Sequence, residues 1–251
     1  MKYLIPMIAG LGLMLASCDR SPEKAETGAG GASASGASAP GAAPAGGAPS
    51  ALPQGDAAAA PSAALAGRTA ELVNPDEQTM IFLYYDLAGL APPIESWISE
   101  DSDVRYGPAE AKPARREELR AAYAAAQASV RNVGRLRLTV QSNLSEYDPS
   151  YGEFTVQALA PGSTYDFRAF SRSVTLRLAN GQAAQRWAVA PAEAQKIKDR
   201  VSYLRSTQVD VLLQITGVQP GKDGGSITAN VISYEIRDRS AGVLGRVQVA
   251  P

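Results

Sequence analysis

The chain has 251 residues, 24 Lys and Arg against 25 Asp and Glu, no histidine and one cysteine. Without histidine there is no Ser-His-Asp or Cys-His pairing, no imidazole zinc site and no side chain that ordinarily titrates near neutral pH. A net charge of −1, with arginines scattered among acids, supplies no basic stripe and argues against a nucleic-acid partner.

Residues 4–16 form an apolar run behind the lone charge of Lys2. The run has the length of a signal h-region and falls short of the roughly 20 residues that span a bilayer. It closes on Leu15-Ala16-Ser17-Cys18, with the only cysteine directly after two small residues. This motif resembles the lipobox of bacterial lipoproteins. The resemblance implies a diacylglyceryl group on the Cys18 sulfur and cleavage after Ser17. Two or three acyl chains, at about 0.8 kcal/mol per buried methylene, make attachment stable where one chain is marginal. A lipidated Cys18 leaves no thiol for a disulfide, a metal or a nucleophile. Asp19 is similar to the inner-membrane retention signal of some bacterial lipoproteins. The expected address is a periplasm-facing lipoprotein of the bacterial cell envelope, with the inner membrane favoured over the outer.

Residues 1–17 are therefore expected to be a signal peptide, 18–67 a lipidated cysteine and linker, and 68–251 one globular domain. The linker is nearly all Ala, Gly, Ser and Pro beyond Glu26. With no aromatic residue it cannot offset its ordering entropy, so a disordered leash is expected, on the order of 35–40 Å root-mean-square long.

In the domain, Asn74-Pro75-Asp76-Glu77 reads as a helix start with Asn74 as cap, followed by an apolar helix that breaks near Gly89 or Pro92-Pro93. A second helix is expected over residues 113–132, with Leu119, Ala122, Tyr123, Ala126, Val130 and Val133 on one face, ended by Gly134. Beyond it the period becomes two. Leu136, Leu138 and Val140 alternate with polar residues, as do Phe154, Val156 and Ala158. Val174, Leu176 and Leu178 lead to Asn180-Gly181, read as a hairpin turn towards Trp187 and Val189. A short helix is expected over residues 191–201 with Ala194, Ile197 and Val201 inward. A final hairpin joins Val209–Ile215 to Ile227–Ile236, with a bulge near Val231-Ile232 where the apolar parity changes. The product is an α+β fold: a twisted antiparallel sheet of about five to seven strands with two or three helices packed on it.

The runs NLSEYDPSYGEFTVQAL and WAVAPAEAQKI, set among alternating strands, resemble domains of bacterial exported proteins, over roughly residues 115–236. The resemblance implies no catalytic residue, metal or cofactor. Glu95, Glu100, Asp101 and Asp103 form an acidic patch in an expected loop, without the glycine and terminal glutamate of a calcium loop. Asp148, Asp166 and Asp210 read as turn formers. Ser21 and Lys24 fall in the leash, where nothing would activate a Ser-Lys pair.

Tyr147, Tyr151, Tyr165, Phe167 and Trp187, with Arg177 and Arg186, are the candidate contact surface, since exposed aromatics and arginines mark interfaces. The competing assignment puts these rings at the edge of the sheet core. Arg135, Arg137, Arg168, Arg172, Arg177 and Arg186 are candidates for a common solvent face. The functional expectation is a membrane-attached, non-enzymatic binding or assembly module whose partner is another envelope protein. The alternatives are a carboxylate or Ser/Lys hydrolase and a carrier or sensor of a small apolar ligand.

Overall fold

The computed structural model describes residues 65–201 and 205–250. The lipobox, the cleavage site, Asp19 and the linker lie outside the described residues, apart from the linker's last three.

The fold is α+β, with seven strands in its main sheet. The sheet is mixed where a purely antiparallel one was expected. β1 (Ala70–Val73) runs parallel to β2 (Val133–Asn143), and β5 (Arg172–Leu178) runs parallel to β8 (Gly224–Arg237). The order is β1-β2-β7-β8-β5-β4, with β4 at Thr164–Ala169 and β7 at Ser206–Gly221. β9 (Val243–Gln248) also pairs with β8. A separate two-stranded sheet joins β3 (Glu153–Thr155) to β6 (Arg186–Ala188).

The β7–β8 hairpin is the spine. Alternation buries Val209, Val211, Leu213 and Ile215 on β7, and Ile227, Ala229, Val231, Tyr234 and Ile236 on β8. Leu213 pairs with Val231 and Leu212 with Ser233, so Ile232 is the extra residue of a bulge, where the parity change places it. The bulge keeps Tyr234 and Ile236 on the buried face.

Helix α1 (Glu77–Leu87) packs on that face, with Met80, Ile81, Phe82, Leu83, Tyr84 and Leu87 buried. Its cap is Asp76, whose carboxylate accepts from Thr79 N at 2.7 Å, and not Asn74. Asn74 instead joins β1 to β2, its Oδ1 accepting from Thr139 N at 2.7 Å. Gly225 has no side chain where the Tyr84 ring lies, and Tyr84 donates to Gly224 O at 2.7 Å. Helix α2 (Ile94–Glu100) and helix α3 (Ser102–Tyr106) occupy the stretch expected as an acidic loop. Helix α4 (Lys112–Ser129) buries Leu119 and Tyr123, while Ala122 is exposed. Asn132, at φ 61°, turns the chain into β2, and Gly134 lies inside that strand.

Two further expectations fail. Val156 and Ala158 do not extend β3, because a 3-10 turn follows at Gln157–Leu159. Asn180-Gly181 is no hairpin: Asn180 has φ −104°, and Gly181 opens the short helix α5 (Gly181–Ala184). The Asn180 amide donates to Val231 O at 2.9 Å and accepts from Val231 N at 2.8 Å, where β5 leaves β8. A side chain there does the work of a strand residue. Helix α6 (Pro191–Arg200) buries Ala194 and Ile197, as its spacing predicts.

The two-residue turn between β4 and β5 is made by Phe170 (φ 54°) and Ser171 (φ 57°), residues without the glycine or asparagine that such turns favour. The Phe170 ring stacks on Trp97 with centroids 4.2 Å apart and meets Phe82 and Tyr123 edge-on. Ring contacts of this kind contribute about 0.5–1.5 kcal/mol each and hold the strained turn in place. Ser171 is exposed and takes no part in that cluster. Ser171→Gly should therefore raise unfolding stability by about 0.5–1 kcal/mol in urea titration. An unchanged or lowered midpoint would show that the turn carries no such strain.

Candidate functional site

The helices and the β3–β6 pair lie on the buried face, which leaves the other face of the sheet without a covering layer among the described residues. Strand alternation places mostly polar groups on that outer face, with Leu212 of β7 opposite Arg137 as an exception. It carries Glu71 from β1; Arg135, Arg137 and Thr139 from β2; and Gln208, Asp210 and Gln214 from β7. β8 adds Thr228, Asn230, Glu235 and Arg237. β5 adds Thr175 and Arg177, β4 adds Asp166 and Arg168, and β9 adds Arg246.

A charge ladder crosses it. Arg137 Nε meets Glu71 Oε1 at 2.7 Å, and Thr139 Oγ1 donates to Asp210 Oδ1 at 2.7 Å. Asp210 Oδ2 lies 3.0 Å from Arg237 Nε, and Arg237 Nη2 lies 2.7 Å from Glu235 Oε1. The second Glu235 oxygen accepts from Arg246 Nε at 2.5 Å. All of these groups except Glu71 line a groove of about 370 Å³ with Ser233 and Gln248. The Arg246 hydrogen bond, opposed by desolvation and reinforced by the Arg237 charge, holds the Glu235 carboxyl below its ordinary range. Carboxylates held by neighbours set the guanidinium planes before any partner arrives, which lowers the ordering cost of recognition.

The expected arginine face is partly assembled. Arg135, Arg137, Arg168 and Arg177 share the outer face. Arg172 lies at the hairpin tips, 3.2 Å from Asp223, in a cavity of about 560 Å³ with Trp97 and Phe170. Arg186 sits on β6, 2.9 Å from Glu153.

The candidate aromatic surface is dispersed, and most of its rings belong to the core margin. Trp187 is only 6% exposed, packs on Phe154 at 5.5 Å and rests where Gly245 lacks a side chain. Tyr147 is half-buried, packs on Phe154 at 5.2 Å and donates to Val189 O at 2.9 Å. Tyr165 donates to Ala158 O at 2.8 Å, and burial pushes its hydroxyl up to about 12. Phe167 packs partly buried against the core. Tyr151 is the exception, 72% exposed on a turn organised by Asp148, whose carboxylate accepts from Ser150 N at 2.8 Å. Asp148 is thus a turn former, whereas Asp166 and Asp210 lie inside strands.

The acidic patch is neutralised by helix α4. Arg120 binds Glu95 at 2.8 Å, and Arg115 lies 3.4 Å from Asp101, which caps α3. The hydrogen bond from Arg120 lowers the Glu95 carboxyl.

Sequence reasoning misses Glu235, Arg237 and Arg246 and reads Asp210 as a turn former, whereas the structure places all four on the outer face. The signal was present: Asp210 alternates with Val209 and Val211, and Glu235 with Tyr234 and Ile236. Alternation alone places both on the polar face. Comparison with protein-family models, curated proteins and solved structures gave no match to this chain.

The depressed Glu235 carboxyl sets an acid limit. Its folded value lies below the ordinary 4.5, so its contribution to stability is complete above that value and is lost as pH falls through the folded value. Glu235→Gln should lower the melting temperature at pH 7, with the difference from wild type narrowing as both proteins approach about pH 3. A constant difference across that range would contradict the ladder.

Proposed function

We propose that the chain is a lipid-anchored protein of the bacterial cell envelope, and that its folded domain is a non-enzymatic module which binds another envelope protein. The lipobox Leu15-Ala16-Ser17-Cys18 and the Ala/Gly/Ser/Pro composition up to residue 67 support the anchor and the leash. The observation that carries the binding reading is the uncovered outer face of the sheet. It presents six arginines (Arg135, Arg137, Arg168, Arg177, Arg237 and Arg246) against the four acids Glu71, Asp166, Asp210 and Glu235. Among the described residues, Arg135, Arg168 and Arg177 have no carboxylate within ion-pair distance. Arginine is enriched at protein interfaces because its planar fork binds carboxylates bidentately. The partner that fits is a protein with an acidic, polar surface.

Two measurements test this reading. Cys18→Ser should abolish acyl labelling and leave unprocessed precursor, and labelling that persists would refute the anchor. A photo-crosslinker at Gln208 on the outer face should trap a partner in cells, whereas one at Ala121 on α4 should not. The adduct should disappear in the Arg135→Glu, Arg177→Glu double variant. No adduct at Gln208, or equal adducts at both positions, would overturn the assignment of the face.

A further inference from the structure

β4 ends the main sheet on one side, with β5 as its one strand partner. The two-residue loop makes Ala169 and Arg172 a hydrogen-bonded pair. Alternation then turns the backbone N–H and C=O groups of Arg168, Asp166 and Thr164 away from β5. Among the described residues, none of these outward groups has a hydrogen-bond partner. Asp166 accepts from Thr175 Oγ1 at 2.6 Å, and neither Asp166 nor Arg168 has an ion-pair partner among the described residues.

We propose that this edge pairs with the same edge of a second copy of the chain, antiparallel about a two-fold axis at Phe167. In that register Asp166 of each copy faces Arg168 of the other. Both are positions whose backbone groups point outward, so each facing pair exchanges both N–H···O bonds. Opposite charges across such a pair add to the backbone bonds. Moving the axis to Asp166 also opposes outward groups, but it sets Asp166 against Asp166 and Arg168 against Thr164. Charge therefore selects the Phe167-centred register, and the contact is isologous and closed.

An edge built to refuse a neighbour carries charged side chains, proline, a bulge or a cover; the two charges on β4 are of opposite sign, so in the Phe167-centred register they attract across the axis where like charges would repel. The other edges are spoken for. β1 has four residues, and its Glu71 is bound by Arg137. On β9, Val243 O accepts from Arg200 at 3.0 Å and Arg246 is bound to Glu235. Among the described edges, β4 is the one that carries an acid and a base without ion-pair partners two residues apart, an arrangement that attracts its own copy. This inference goes beyond the tethered module and does not rest on it, since the pairing needs neither the anchor nor a different partner.

Sedimentation equilibrium of the full chain in density-matched detergent tests the pairing. The wild type should show a monomer–dimer equilibrium. Asp166→Arg and Arg168→Asp should each weaken dimerisation at least about tenfold. The double variant, which restores opposite charges across the axis, should recover it. Circular dichroism of each variant should remain that of the wild type, because both side chains are exposed. A wild type that stays monomeric up to about 100 µM, single reversals that dimerise like the wild type, or a double variant that stays monomeric would each overturn the proposal.

Discussion

The one-sided burial of the β7–β8 hairpin is the constraint on which the rest of the structure depends. Two long antiparallel strands place a continuous apolar row on one face, from Val209 to Ile215 and from Ile227 to Ile236. Each fully buried Val, Leu or Ile there stabilises the fold by roughly 1.5–3 kcal/mol. α1 packs on the hairpin's turn end, and Trp187 and the β3–β6 pair on its other end. β2, β5 and β9 extend the sheet sideways from it. With the apolar side chains committed to one face, the period of two leaves charge and amide groups for the other. The groove of Arg137, Asp210, Glu235, Arg237 and Arg246 is the consequence.

The same constraint explains what could be read in advance. The β7–β8 hairpin, its bulge, the inward residues of α6 and the body of α1 follow from local period and turn chemistry, and each stands as expected. What escaped was decided by distant partners. Ala70–Val73 has too few residues for a periodic signal and becomes a strand through pairing with β2. Asn180-Gly181 carries strong local hairpin chemistry, yet the Asn180 amide gains two hydrogen bonds on Val231, 51 residues further along the chain. Phe170-Ser171 gives a poor local turn signal, and the turn persists because Trp97, Phe82 and Tyr123 surround Phe170.

The candidate site was legible in its parts and not in its assembly. Arg135, Arg137, Arg168 and Arg177 follow from alternation within single strands. Their union with Glu235 and Arg246 requires the order β2-β7-β8 and the placement of β9, neither of which one strand's pattern contains. The aromatic residues failed as a surface for the opposite reason. Tyr147, Tyr165 and Trp187 each have an apolar body and a polar tip, and each tip or ring found a place at the core margin. Rings there serve packing.

In the proposed function a membrane address, a leash and a pre-set charged face act as one tethered binding module. Arginine footprinting in the intact envelope tests that claim most directly. Phenylglyoxal modification, read by mass spectrometry, would compare Arg135 and Arg177 on the outer face with two exposed arginines elsewhere, Arg116 on α4 and Arg131 in the turn that follows it. The account predicts that Arg135 and Arg177 are protected in cells relative to the purified protein, while Arg116 and Arg131 react equally in both. Equal reactivity of Arg135 and Arg177 in cells and in purified protein would contradict it.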